Sequence, residues 1–297
     1  MRILVIGSTG QLGWELQRSL TALGTVTAVD YPELDLTDPD SIIEWIDKID
    51  PALIFNAAAY TAVDQAEQEP DLAYAINARA PGILAEHASQ RGGILIHYST
   101  DFVFDGKKGA PYREEDQAIP LNTYGRTKLA GEKALQEVGG QYYIFRTSWL
   151  YSTRKPCFLS KVLDWARSQE TIKVVDDQVG SPTWSRTLAE ASAQAAARLL
   201  DRDLSWREST SGIYHTAGIG AVSRYDWAQR ILDLDPHPEQ QVVSQVLRAH
   251  SADFETPAER PAFSALDCSR FQSTFDAFYT NWEQALEQAL SLSEGQD

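Results

Sequence analysis

Cysteine is almost missing from this chain. Cys157 and Cys268 are the only two in 297 residues, and they lie far apart. That excludes a small disulfide-framed scaffold; two free thiols in a reducing compartment are expected. Positive charge is also short: 26 Lys and Arg stand against 42 Asp and Glu, a formal net charge of −16. So acidic a chain excludes nucleic acid as a partner, because binding a phosphate backbone needs a basic face. A small nucleotide remains possible, since backbone N–H groups can hold phosphate inside an acidic protein. No apolar run approaches the roughly 20 residues of a membrane span, so no membrane partner is expected. Met1-Arg2 leads straight into Ile3-Leu4-Val5-Ile6, which leaves no room for a signal peptide. The expected location is cytoplasmic. The histidines His87, His97, His215, His237 and His250 have no metal-ligand spacing with one another or with the cysteines.

What is present is a core-forming chain, 43% hydrophobic, sized for one large domain or two intimate ones. Continuous apolar runs at 2–6, 26–29, 53–55, 94–98 and 142–145 predict strands covered on both faces. Helix-like stretches alternate with them at 11–23, 39–48, 70–90 and 123–137, and Asp38-Pro39 reads as an N-cap followed by an N1 proline. The alternation implies an α/β fold with a Rossmann-like doubly wound parallel sheet. In the second half, helices are expected over 158–168, 184–200 and 223–232, and a strand over 213–216. A loop is expected over 233–240, helix or mixed structure over 242–250 and 282–292, and a frayed tail over 293–297. The predicted division gives 1–150 plus about 210–235 to a cofactor-binding domain. About 151–209 plus 236–297 form a smaller C-terminal substrate-binding domain.

Gly7, Gly10 and Gly13 fall where the first strand meets the first helix. Glycine there permits a tight turn and lets a pyrophosphate approach the backbone at the helix N-terminus. The spacing is G-x-x-G-x-x-G rather than G-x-G-x-x-G; the position at a strand–helix junction carries the inference. Thr9, Gln11 and Leu12 share this loop and count as cofactor contacts. Asp30 closes the second strand, and an acid there bonds ribose hydroxyls and disfavours a 2′-phosphate. Asp35 and Leu36 are placed facing adenine. Ala57, Ala58 and Ala59 follow the third strand, small enough for the cofactor to lie against the backbone. No Arg or Lys lies in 7–13 or 29–41, so NADH is expected to serve at least as well as NADPH.

Tyr124 and Lys128 are four residues apart on a predicted helix. That spacing puts phenol and ammonium on one face, roughly 5–6 Å apart at Cβ. A free Tyr has a pKa of about 10, and a nearby cation lowers it. The pair reads as a proton donor suited to reducing a carbonyl. Asn77, on the long helix, is either part of a proton relay or a packing amide.

Several longer segments join these motifs. They are Gly7-Ser8-Thr9-Gly10-Gln11-Leu12-Gly13-Trp14-Glu15-Leu16, Asn56-Ala57-Ala58-Ala59-Tyr60-Thr61-Ala62-Val63-Asp64 and Tyr98-Ser99-Thr100-Asp101-Phe102-Val103-Phe104. Next come Pro120-Leu121-Asn122-Thr123-Tyr124-Gly125, then Lys128, Gly131 and Glu132. Arg146-Thr147-Ser148-Trp149-Leu150-Tyr151, Asp177-Gln178-Val179-Gly180-Ser181-Pro182-Thr183 and Arg260-Pro261-Ala262-Phe263-Ser264-Ala265-Leu266-Asp267 complete the set. Together they resemble the extended, sugar-nucleotide branch of the short-chain dehydrogenase/reductase superfamily, over almost the whole chain. Within that branch the likeness is to the dTDP-4-dehydrorhamnose reductase family.

The resemblance implies an NAD(P)H-dependent oxidoreductase acting on a nucleotide-sugar. It gives Tyr124 the protonation of the C4 keto oxygen and Lys128 the nicotinamide ribose. Thr100 would hydrogen-bond the carbonyl, with Asp101 and Phe102 beside it at the substrate. Trp149 would wall the sugar or base, and Arg260 would pair with the diphosphate. It also raises Mg2+ bound by glutamates at a homodimer contact, with Glu15 and Glu190 as the matching positions. Three departures bear on the sugar or nucleotide: Phe102 where Tyr is common, Phe263 where Asn is usual, and Glu259 before Arg260. Two alternatives share the pattern. One is another nucleotide-sugar reductase or epimerase; a 4,6-dehydratase is disfavoured because Phe102 cannot transfer protons. The other is a non-catalytic regulatory subunit like that of methionine adenosyltransferase.

Overall fold

A computed structural model describes residues 1–277 and 279–292; the predicted frayed tail, 293–297, lies outside them. Six parallel strands form the central sheet: β1 (Arg2–Ile6), β2 (Thr25–Val29), β3 (Leu53–Asn56), β4 (Ile94–Thr100), β5 (Gln141–Thr147) and β6 (Gly212–His215). Their order is β6-β5-β4-β3-β1-β2. Alternate strand residues enter opposite cores, as a period of two requires. Ile3, Val5, Phe55, Ile96 and Phe145 face one core; Leu4, Ile6, Ile54, Leu95 and Ile144 face the other. Helix α1 (Gln11–Ser19) covers the first face with Leu12 and Leu16. Helices α2 (Pro39–Ile49) and α3 (Ala80–Gln90) cover the second with Ile42, Ile46 and Leu84. The doubly wound sheet expected from the apolar runs is present.

The chain reverses its direction of travel across the sheet between β2–β1 and β3. Such switch points open a crevice at the strand carboxyl ends, where ligands bind in open α/β sheets. Here that crevice lies between Gly7 and Ala57.

The structure departs from the sequence reading in several places. The helix expected over 11–23 ends at Ser19. The helix expected over 70–90 is interrupted: Pro70–Tyr74 is α-helical, Ala75–Arg79 widens to a π turn, and α3 follows. Residues 245–249 form a strand, Gln245–Ala249, parallel to a second strand, Thr171–Val175, that the sequence reading did not foresee. Helix α5 (Ser185–Asp201), placed with the substrate half, packs Leu188, Ala195 and Leu199 into the core of the sheet. Conversely Val222, Trp227 and Ile231, placed with the cofactor half, join a third core with Tyr151, Val162, Val174 and Leu286. Side-chain burial, rather than chain position, sorts these segments.

Cys157 and Cys268 are both unpaired. Among the described residues no helix is long and apolar enough to cross a membrane.

Candidate active site

The turn after β1 is built from the backbone. Gly7 adopts φ +88°, and a Cβ there would fall 2.6 Å from the Ala58 nitrogen, so only glycine fits against the β3 turn. Gly7 N and Ser8 N both donate to Val29 O, which ties the loop to β2. Gly10 is the N-cap of helix α1; among the described residues no side chain caps it, and its first turn holds no acid. Open N–H groups at the positive end of a helix suit a pyrophosphate. Asp30 accepts hydrogen bonds from Thr9 N (2.8 Å) and Thr9 Oγ1 (2.7 Å), so it also braces the loop. Asp35 and Leu36 line a recess with Asp30, Tyr31, Ala58 and Ala59, at the carboxyl ends of β2 and β3. The residues present therefore fit a dinucleotide.

Beside this loop lies a cleft of about 640 Å³. It collects Gly7, Thr9, Gly10, Gln11, Leu12, Asp30 and Ala57–Ala59 with Thr100, Asp101, Phe102, Tyr124, Lys128 and Trp149. Of the candidate residues, Asp35, Leu36, Gly13, Arg260, Glu15 and Glu190 stand outside it. A larger cavity of about 1460 Å³ adjoins it and shares Pro156, Cys157, Phe158 and Arg224 in its wall.

Helix α4 (Thr123–Val138) delivers Tyr124 and Lys128. It begins where it does because Asn122 caps it, accepting from Gly125 N at 2.8 Å. The same Asn122 donates to Glu259 O (2.7 Å), which ties the helix start to the C-terminal segment. The Tyr124 hydroxyl shares the cleft with Thr100, and its ring meets Phe102 edge-on at 5.8 Å. Burial pushes the Tyr124 phenol up to about 12; the Thr100 hydroxyl opposes this and the Asp101 carboxylate adds to it. The lowering expected from Lys128 is not among the influences on this phenol, and the shift runs the other way. Lys128 is fully buried and donates from Nζ to Tyr98 O at 2.7 Å, with His97 Nε2 3.3 Å away. Burial brings its ammonium down to about 8, against the pull of Glu132. His97 in turn meets Asn56 (3.1 Å), and burial holds the imidazole well below its usual range, hence neutral. This His97–Asn56 support was not foreseen; His97 sits inside an apolar strand run and Asn56 directly follows one.

Three candidates take other partners. Asp101 is 2% exposed and accepts from Ser264 (2.5 Å), Ser148 (3.0 Å) and Thr100 (3.1 Å). It fastens the strand end to two later segments more than it faces a ligand. Arg260 forms a two-pronged pair with Asp64, 2.8 and 2.6 Å, and so clamps the 258–260 segment onto Val63–Ala66. The diphosphate role expected of it meets a guanidinium already neutralised. Asn77 bonds both backbone groups of Tyr60 and Thr127 Oγ1, which makes it a packing amide at the π turn.

Trp149 stands at φ +44°, an uncommon value for a non-glycine residue, and stacks on Trp227 at 5.6 Å. A Cβ on Gly180 would lie 2.4 Å from its indole, so the glycine makes the space for the ring. Glu15 and Glu190 do approach each other across α1 and α5. Arg186 sits with them, 3.5 Å from Glu15; burial raises the Glu190 carboxyl, with the Arg186 charge opposing and Glu15 adding to the rise. Among the described residues no group of three or more His, Cys, Asp or Glu could hold a metal ion. Within one chain the two carboxylates, with Arg186 beside them, do not make up a Mg2+ ligand set.

A family model described as "RmlD substrate binding domain" matches residues 1–294. The chain is 39% identical over 289 residues to dTDP-4-dehydrorhamnose reductase of Burkholderia thailandensis, covering 96% of this chain and 97% of that one. Its fold matches the crystal structure of such a reductase from Clostridium acetobutylicum with a TM-score of 0.88, at 33% identity over 99% of this chain and 100% of the other. The Bacillus anthracis enzyme, solved in complex with NADP, gives the same TM-score at 32% identity, covering 98% and 99%. The chain therefore belongs to the dTDP-4-dehydrorhamnose reductase family.

Proposed function

We propose that the protein reduces the C4 keto group of dTDP-4-dehydro-L-rhamnose to give dTDP-L-rhamnose, using a nicotinamide cofactor. One observation carries the reading: a single cleft holds Thr100, Tyr124, Lys128 and the glycine-rich turn. A bound nicotinamide supplies the hydride. The chain supplies position and the proton. Thr100 and Tyr124 together mark where a carbonyl oxygen is received. Tyr124, protonated across the neutral range, gives its proton to that oxygen as charge develops on it. The phenolate left behind is stabilised by the buried Lys128 ammonium on the same helix face. The test is loss of absorbance from NADH or NADPH when dTDP-4-dehydro-L-rhamnose is supplied; no turnover with either cofactor sinks the reading.

The pH profile should belong to Lys128. Its charge is lost as pH rises through about 8, so kcat/KM for reduction is expected to fall there. Tyr124, at about 12, keeps its proton through that region. A profile that stays flat through it contradicts the role given to Lys128.

We infer that both NADH and NADPH are accepted. Asp30 suits ribose hydroxyls. Arg154 and Lys155 line a recess with Ser8, Thr9, Gly10 and Gln11, and so bring positive charge to the loop from a distant segment. The Arg154→Ala/Lys155→Ala variant is expected to raise KM for NADPH about 10-fold and leave KM for NADH unchanged. Equal changes for both cofactors would remove the 2′-phosphate role.

A dehydratase is disfavoured further by packing: the Phe102 ring fills the position beside Tyr124 where a proton-transferring acid would be needed. The unpaired thiols fit a reducing compartment, and we place the reaction in the cytoplasm.

A further inference from the structure

We infer that Arg224 binds the diphosphate of the nucleotide substrate and so fixes the sugar at Tyr124. The inference rests on the reductase reading above and adds a residue to it. Arg224 opens helix α6 (Arg224–Asp233), just after the cap Ser223. Its guanidinium lies 3.5 Å from the Trp149 ring centre, 4.7 Å from that of Phe158 and 5.5 Å from that of Trp227. It lines both the catalytic cleft and the larger cavity, at the passage between them.

The rings supply cation–π contact but no hydrogen-bond acceptor. Among the described residues, no ion pair or side-chain hydrogen bond engages the Arg224 guanidinium. Its five N–H donors in a planar fork match a phosphate well. The neighbouring acid does not complete it, because Asp101 already accepts from Ser264, Ser148 and Thr100. Burial pulls the Arg224 guanidinium down to about 9, with Asp101 opposing and Arg260 adding to the fall, so it stays cationic at neutral pH. The other cation expected at the diphosphate, Arg260, is held by Asp64. The cofactor pyrophosphate has its own place at the α1 N-terminus, next to Gly7 and Gly10. The anion left for Arg224 is the one that joins the sugar, at Trp149 and Tyr124, to a nucleoside in the larger cavity.

The test is calorimetric titration of wild type, Arg224→Met and Arg224→Lys with dTDP and, separately, thymidine. UDP with uridine and GDP with guanosine run beside them, so a diphosphate effect shows whichever base the site takes. Arg224→Met keeps an unbranched stem against the rings and removes the charge. It is expected to weaken diphosphate binding roughly 10- to 100-fold and leave nucleoside and NADPH binding unchanged; Arg224→Lys should recover part of the loss. Unchanged diphosphate affinity in Arg224→Met overturns the inference. So does an equal loss for the nucleoside, which would make Arg224 a prop for Trp149, and so does a loss confined to NADPH. Wild type that binds none of the diphosphates better than its nucleoside also overturns it. Turnover with dTDP-4-dehydro-L-rhamnose is read separately, so failure of the reductase reading is distinguishable from failure at Arg224.

Discussion

Replacing Tyr124 by phenylalanine is expected to lower kcat roughly 100- to 10,000-fold. The change removes one oxygen and little else. The ring keeps its edge-on contact with Phe102 at 5.8 Å, and helix α4 keeps its Asn122 cap. Thr100 remains to receive the carbonyl, so substrate binding should change far less than turnover. A proton-donating role appears as an equal fall in kcat and kcat/KM; a binding role would appear in KM. The comparison is steady-state kinetics alongside a fluorescence titration with NADPH. Turnover within tenfold of wild type would mean that the proton comes from elsewhere.

The largest stability effect is expected at Glu132. This carboxylate is fully buried, one turn beyond Lys128 on α4. It accepts from Arg146 Nε (2.9 Å) and Nη2 (2.6 Å) and from Ser99 Oγ (2.5 Å), which pins α4 to β5 and β4. Removing one partner of such a pair leaves a buried charge without compensation. Glu132→Ala should therefore cost about 3–5 kcal/mol. Replacing both partners, as in Glu132→Leu/Arg146→Met, should cost much less, because no charge is stranded. Urea unfolding of the three proteins decides the matter. A single variant no less stable than the double would show that the pair does not hold the helix. The same carboxylate raises the Lys128 pKa, so structural and catalytic roles meet on adjacent turns of α4.

The parts of the site legible in the sequence are those made by neighbours in the chain. The glycine-rich turn lies between one strand and one helix, and the Tyr124–Lys128 spacing is a property of a single helix. Thr100 closes the strand that the apolar run at 94–98 makes visible. What stayed hidden depends on distant segments meeting. Arg260 looks like an anion ligand until Asp64, almost two hundred residues away, is found against it. Arg224 carries no local signal; its meaning comes from Trp149, Phe158 and Trp227 closing around it. Arg154 and Lys155 lie far from the glycine loop in sequence and beside it in space. The fold follows the same division. Strands of the central sheet are buried on both faces and read as apolar runs. The Thr171–Val175 strand alternates exposed Thr171 and Lys173 with buried Ile172 and Val174, a weaker pattern over so few residues. The π turn at Ala75–Arg79 arises where Asn77 reaches Tyr60 and Thr127, a tertiary demand that overrides a regular helix.

The central claim is net hydride transfer to C4 of the sugar, and isotope labelling tests it most directly. Dinucleotide doubly deuterated at nicotinamide C4 would be incubated with dTDP-4-dehydro-L-rhamnose, and the product examined by NMR. The account predicts one deuterium at C4 of dTDP-L-rhamnose for each cofactor oxidised, with both lost in Tyr124→Phe. A changed sugar without net cofactor oxidation, or a product unlabelled at C4, would contradict it and point to an epimerase.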